Sequence, residues 1–124
     1  MRNLPEGYVS PNFRLTEFMC NHCNLIPYGK PPVKLVMWLE DIRSHFGGRP
    51  VIINSAYRCE VHNSNVGGAK GSQHLTADAT DFYVKDVSPA DVYVYADQLI
   101  GDEGGVGKYN TFTHIDCRGH HARW

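Results

Sequence analysis

Two helices punctuated at both ends, set among short β-branched runs, constrain this chain more than any other feature. Residues 32–46 carry the clearest helical pattern. Val33, Val36 or Met37, Leu39, Ile42 and Phe46 recur at spacings of three to four and are expected to form the buried stripe. Pro31 and Pro32 suit a helix start, because the first turn needs no N–H donors, and Gly47-Gly48 suits its stop. A second helix is expected over residues 89–100, with Ser88 as N-cap, Pro89 at N1, Asp91 at N3 and Gly101 past its end. Residues 51–54 and 79–84 read as strands. Residues 105–109 and 112–117 read as two more, joined at Asn110-Thr111 in a hairpin. Residues 1–11 read as an extended arm, 15–18 as one helical turn and 24–32 as a loop. Residues 55–73 read as a longer Gly-bearing loop with a helical turn at 60–64. The order predicts an α+β fold, a small and mostly antiparallel sheet packed with helices.

At 124 residues the chain fits a single domain, 1–124. A chain of this size buries roughly two-thirds of its unfolded surface, so it needs no disulfide staples. Its net charge of -1 gives no basic excess for a nucleic-acid partner. Its apolar runs are too short for membrane insertion. The first eleven residues lack a charged n-region and an apolar h-region, so synthesis in a cytoplasm without a signal peptide is expected. A monomer is expected.

Three residues carry the chemistry: His74 at the end of a Gly-rich loop, Asp81 inside a predicted strand, and His114 in the last predicted strand. A catalytic zinc takes three N or O ligands and keeps one position open. Two histidines and one carboxylate leave the ion net positive, which lowers the pKa of a bound water from about 16 toward about 7. The competing reading is that such histidines are hydrogen-bonded structural residues. The carboxylate of Asp81, in the half-buried run 79–84, would need a partner either way. His114 and Asp116 are two apart on a strand and share a face.

The segment Ser72-Gln-His-Leu-Thr-Ala-Asp-Ala-Thr-Asp81 resembles the Ser-x-His-x-x-Gly-x-Ala-x-Asp signature of the zinc D-Ala-D-Ala carboxypeptidase family. That family includes phage endolysins and bacterial murein endopeptidases, and shares its fold with the hedgehog signalling domain. Gly104-Gly-Val-Gly-Lys-Tyr109, Phe112-Thr-His-Ile-Asp-Cys-Arg-Gly119 and Ala122-Arg-Trp124 resemble its C-terminal block. Ser55-Ala-Tyr-Arg58 and residues 63–69 resemble its substrate loop, and Asn12-Phe-Arg-Leu-Thr-Glu-Phe18 its N-terminal segment. The resemblance implies one catalytic Zn2+ held by His74, Asp81 and His114. It also implies Arg58 as the contact for a substrate carboxylate or carbonyl, and Ser72 as a residue shaping the substrate site. The implied function is hydrolysis of peptide bonds in bacterial peptidoglycan, as a carboxypeptidase or endopeptidase, in phage lysis or wall remodelling. The alternative is a zinc-containing binding or structural module on the same fold. Without the resemblance, Arg58 reads as a surface ion pair and Ser72 as a turn cap.

The sequence departs from that pattern in two places. Ala77 stands where the signature has Gly, and Thr111 stands where many members carry an acid three positions before the last histidine ligand. Asp116 is then the nearest candidate for the catalytic base, with orientation of a ligand histidine or pairing with Arg118 as its other reading. An enzyme of this kind lacking a leader is expected to reach the wall after phage-mediated release.

Cys20-Asn-His-Cys23 invites a structural zinc reading that Cys59, Cys117 or His22 would have to complete. No second Cys-x-x-Cys is present, so thiols in a reducing compartment, or one disulfide formed after export, are the expectation. Strand alternation turns Cys117 away from His114. His45 suits the negative end of its helix. His22, His62, His120 and His121 are expected to face solvent.

Overall fold

A computed structural model describes residues 4–20, 23–26, 29–59, 74 and 78–124. Among these residues the helices are α1 (Val33–His45) and α2 (Pro89–Ile100), and the strands follow in chain order. They are β1 (Tyr8–Ser10), β2 (Phe13–Arg14), β3 (Val51–Ser55), β4 (Ala79–Val84), β5 (Gly105–Lys108), β6 (Thr113–Asp116) and β7 (Ala122–Arg123). A 3-10 turn covers Leu15–Phe18. The α+β class holds, and the expected strands and helices form with shifts of a residue or two at their ends. The turn expected over 60–64 lies outside the described residues.

Helix α2 starts as its sequence dictates: the Ser88 hydroxyl accepts from the Asp91 N–H at 3.2 Å, and Pro89 takes the first turn. In α1 the buried stripe differs from the expected one. Leu35, Val36, Trp38, Leu39 and Ile42 are buried, while Val33 and Met37 are each 64% exposed. At roughly 100° per residue, Val33 and Met37 fall on the side opposite Leu35, Leu39 and Ile42. The spacing rule picked apolar residues on both sides of the helix, and only packing selected between them.

The main sheet has the order β3-β4-β6-β5-β7. Its first three pairings are antiparallel, and β7 joins β5 in parallel at the edge. Strands β1 and β2 form a separate antiparallel ribbon that starts in the extended arm expected over residues 1–11 and runs past its end. Glu40 of α1 anchors that ribbon by accepting from the Ser10 hydroxyl at 2.5 Å, the Asn12 N–H at 2.9 Å and the Asn12 side-chain amide at 2.7 Å.

Strand alternation divides the sheet into two faces. Phe82, Val84, Val106 and Ile115 join Leu35, Leu39 and Ile42 of α1 and Val92, Ala96 and Ile100 of α2 in one hydrophobic core. Each of the Val, Leu, Ile and Phe side chains, fully buried, contributes about 1.5–3 kcal/mol of hydrophobic free energy. Asp81, His114 and Asp116 alternate with these core residues and so occupy the opposite face. The pairing register sets Asp81 across from His114 and Ala79 across from Asp116. It also sets Ser55 across from Asp81, Gly107 across from His114 and Gly105 across from Asp116. No helix among the described residues is long and apolar enough to cross a membrane.

Candidate metal centre

The three predicted ligands meet. His74, Asp81 and His114 each present a donor atom, and these lie within 4.8 Å of one another. Asp81 and His114 are brought together by register alone, as facing partners on β4 and β6. His74 is clamped from the stretch following β3. Its Nδ1–H donates to the Ala56 carbonyl at 2.5 Å, and its own carbonyl accepts from the Arg58 N–H at 2.9 Å. With Nδ1 engaged, Nε2 is the nitrogen left to face Asp81, at 3.2 Å from Oδ1.

His114 is oriented from the other side. Its Nε2–H donates to Asp116 Oδ2 at 2.8 Å, which turns Nδ1 toward Asp81 Oδ1, also at 2.8 Å. Asp116 is completely buried. Its Oδ1 accepts from the Gly105 N–H at 3.0 Å and from Arg118 Nε at 2.8 Å, and its Oδ2 accepts from Arg118 Nη2 at 2.8 Å. The fork of Arg118 thus grips the carboxylate bidentately. Gly105 is required by close approach, because a Cβ there would sit 2.6 Å from Asp116 Oδ2.

These contacts set the charge states. Desolvation works to raise the Asp81 pKa, but hydrogen bonds from His114 and His74 outweigh it and bring the value to about 2. Desolvation likewise works against the Asp116 carboxylate, and Arg118 and His114 overcome it, holding Asp116 well below the usual carboxylate range. Desolvation opposes charge on His114, yet Asp116 and Asp81 together raise its pKa.

The donor set fits zinc. Bonds of about 2.0–2.1 Å in a tetrahedral shell place neighbouring ligand atoms about 3.3 Å apart. The separation between His74 Nε2 and Asp81 Oδ1 is 3.2 Å. His74, Asp81 and His114 would hold such a dication, and the ion would take the place of the direct His114–Asp81 contact. The Asp116–His114 pair matches the carboxylate–histidine arrangement that fixes a ligand's tautomer and strengthens it as a donor.

Arg58 stands beside this cluster. Desolvation lowers its pKa, while the charges of Asp81 and Tyr109 act to raise it. Ser72 lies outside the described residues, as do His22, His62 and residues 63–69. Sequence reasoning missed the aromatic wall next to His114. The Trp124 ring lies 5.0 Å from the His114 ring, its Nε1–H donates to the Tyr109 hydroxyl at 2.9 Å, and Arg118 sits 5.2 Å from its centre. Trp124 packs so closely over β5 that a Cβ on Gly107 would lie 2.5 Å from it. The alternating glycines at 105 and 107 were the available signal, legible only once the hairpin register was known.

Among the described residues, His120, His121 and Cys117 lie as expected. His45 ends α1 and stacks on Tyr95 with 3.6 Å between ring centres, and His120 and His121 are exposed. Cys117 turns away from the cluster and packs against the core. A cavity of about 590 Å³ lined by residues of β1 and α1, among them Tyr8, Val36, Met37 and Glu40, shares no residue with the cluster.

Comparison with known proteins agrees with this arrangement. The family model described as Peptidase M15 matches residues 11–116, which includes all three donor residues. The chain belongs to the peptidase M15 family. A zinc D-Ala-D-Ala carboxypeptidase from Streptomyces albus G is 40% identical over 48 residues. That match covers 38% of this chain and 19% of the carboxypeptidase, so it speaks for a segment of the larger enzyme. Family membership carries the α+β architecture and the expectation of zinc at the histidine and aspartate cluster.

Proposed function

We propose that this M15 member is a zinc-dependent peptidase that hydrolyses peptide bonds of bacterial peptidoglycan, at stem or cross-link peptides. The observation that carries the reading is the convergence of His74 Nε2, Asp81 Oδ1 and His114 Nδ1, with each histidine turned inward by its own hydrogen bond, to Ala56 and to Asp116. Zinc bound there supplies Lewis-acid polarisation of a scissile carbonyl and acidifies water for attack on it. Support for the substrate class comes from the Streptomyces carboxypeptidase, whose name specifies D-Ala-D-Ala peptides.

The chain's own residues divide the remaining work. Ala56 and Asp116 hold the ligand histidines in the tautomers that leave the inward nitrogens able to bind. Arg58 offers a forked donor to a substrate carboxylate or carbonyl next to the ligand Asp81. Trp124 and Tyr109 provide an apolar wall beside His114 against which a peptide chain rests. Of the two roles open to Asp116, the geometry favours orientation over proton transfer. Both carboxylate oxygens are engaged by Gly105, His114 and Arg118, and the side chain has no path to solvent. A base must reach the water it deprotonates directly or through one further water. Ser72 is assigned to shaping the substrate site, on the resemblance of its motif. The chain acts as a monomer on the wall after phage-mediated release.

A specific pair of observations favours the rival, a zinc-containing module that binds without cutting. Thr111 stands where an acid is expected, and Asp116 is saturated. Incubating the zinc-loaded protein with purified peptidoglycan separates the two. The peptidase reading expects new amino termini and muropeptides of reduced mass, lost in His74→Ala. Retention on the wall with no new amines would overturn it.

A further inference from the structure

The fold assembles a second donor cluster from three of the four cysteines. Cys20, Cys23 and Cys59 place their Sγ atoms within 4.8 Å of one another, and no disulfide joins them. Cys59 is remote in sequence from the other two and reaches them through pairing of the chain after β3 with the 3-10 turn. The Tyr57 N–H donates to the Phe18 carbonyl at 3.2 Å.

The backbone around the cluster is shaped to present sulfur. Asn24, directly after the Cys-x-x-Cys, adopts φ of 57°, the left-handed region that Asn tolerates better than most residues. Its N–H donates to the Cys20 carbonyl at 2.8 Å, and the Cys20 N–H donates to the Leu25 carbonyl at 2.9 Å. These two bonds close a tight turn that carries both thiols to one side. The Cys59 N–H then donates to Cys20 Sγ at 3.5 Å, a contact that strengthens when the sulfur is a thiolate. Cys20 is completely buried. Three thiolates gathered this closely repel one another unless a cation lies between them.

We propose that Cys20, Cys23 and Cys59 form a second metal site, a tri-thiolate centre for one soft divalent ion of the zinc class. Zn–S bonds of about 2.3 Å set the sulfurs of a tetrahedral shell roughly 3.8 Å apart, so closing the cluster on an ion moves each pair by an ångström at most. Thiolate donors select zinc-like ions over magnesium or calcium. Cys117 is not part of the centre, since its thiol is engaged with the Asp78 carbonyl at 3.5 Å. The role is structural. The site fastens the turn after Phe18 to residues 57–59, next to the stretch whose Ala56 carbonyl holds His74 and whose Arg58 side chain stands beside Asp81. The proposal is independent of whether the histidine centre cuts peptide.

Cobalt tests it on the metal-free, reduced full chain. The histidine and aspartate centre contains no sulfur, so a sulfur-to-cobalt charge-transfer band reports the cysteine site alone. The expected result is two cobalt equivalents per chain, one of them accompanied by that band. Cys23→Ser and Cys59→Ser should each lose the band and one equivalent. His114→Ala should lose the other equivalent and keep the band. One equivalent without a charge-transfer band in the wild type overturns the proposal, as does a full band in Cys23→Ser. A mass two units below that of the reduced chain in the protein as purified, with peptide mapping that places the disulfide among the three cysteines, overturns it as well. Should Cys59→Ser fail to fold, the wild-type titration and the half-exposed Cys23 position decide the matter.

Discussion

The two donor clusters meet the same stretch of backbone, residues 56–59, yet they are built differently. His74, Asp81 and His114 are nitrogen and oxygen donors on or beside central strands, and two of them face each other through sheet register. Cys20, Cys23 and Cys59 sit on a turn and a strand exit, outside the sheet's ladder. The first cluster has dedicated partners: Ala56 for one histidine, and Asp116 with Arg118 and Gly105 for the other. Among the described residues the second shows an N–H···S contact from Cys59 to Cys20 and the bonds of its own turn. A site that must hold an ion and leave room for substrate needs its ligands rigid before the ion arrives. A site that only staples two segments can let the ion complete the structure.

Breaking the histidine centre should have the largest effect. On the proposed peptidase reading, His114→Ala is expected to reduce peptidoglycan hydrolysis by about a thousandfold or more, because a water-activating ion would lose a ligand. Muropeptide release measured by mass spectrometry checks this, and cobalt at the cysteines should be untouched. Next comes Asp116→Asn, which keeps the shape but weakens the hold on His114. Metal affinity at the histidine centre should fall roughly 10–100-fold, the usual cost of losing an orienting carboxylate, with the cysteine site again unchanged. Competition with a chromogenic chelator reads both.

Acid distinguishes the clusters in the metal-free protein. The Asp81 pKa is depressed to about 2, below its ordinary value of 3.8. The folded state therefore binds fewer protons than the unfolded state between these values. The stabilisation is present above pH 4 and is lost as pH falls toward 2, a drop of roughly 2 kcal/mol. Urea melts across that range should show the loss, and Asp81→Asn should reduce it by the Asp81 share, leaving the part that Asp116 contributes. The smallest effect is expected from Cys23→Ser. Its Tm should fall by roughly 5–10 °C once the proposed staple is gone, while kcat changes only about two- to fivefold, since the proposed role of that site is structural. A larger loss of kcat than that would mean the cysteines do more than brace.

Much of this was readable in advance where the signal is local. Ser88, Pro89 and Gly101 mark both ends of α2, and the alternation in 79–84 and 113–116 sets the faces of β4 and β6, because caps and strand period depend on neighbouring residues. The α1 stripe was misread at Val33 and Met37, since apolar residues on two sides of a helix cannot be ranked without its packing partners. The ribbon of β1 and β2 was also missed: its strands are two and three residues long and rest on Glu40, 28 positions from Asn12.

His74, Asp81 and His114 were expected to converge because the motifs around them resemble those of a known family; residue type and spacing alone left the structural reading of the histidines open. Asp116 was narrowed to two roles by the same means, as a carboxylate two residues from His114 on a strand. Tertiary structure decided the rest. It set Gly105 against Asp116 and closed Arg118 on the same carboxylate, which leaves no oxygen for a proton transfer. It also carried Cys59 across 39 positions to Cys20. Neither outcome follows from local pattern. Register and long-range closure are fixed by which faces must be buried together, and that is a property of the whole packed chain.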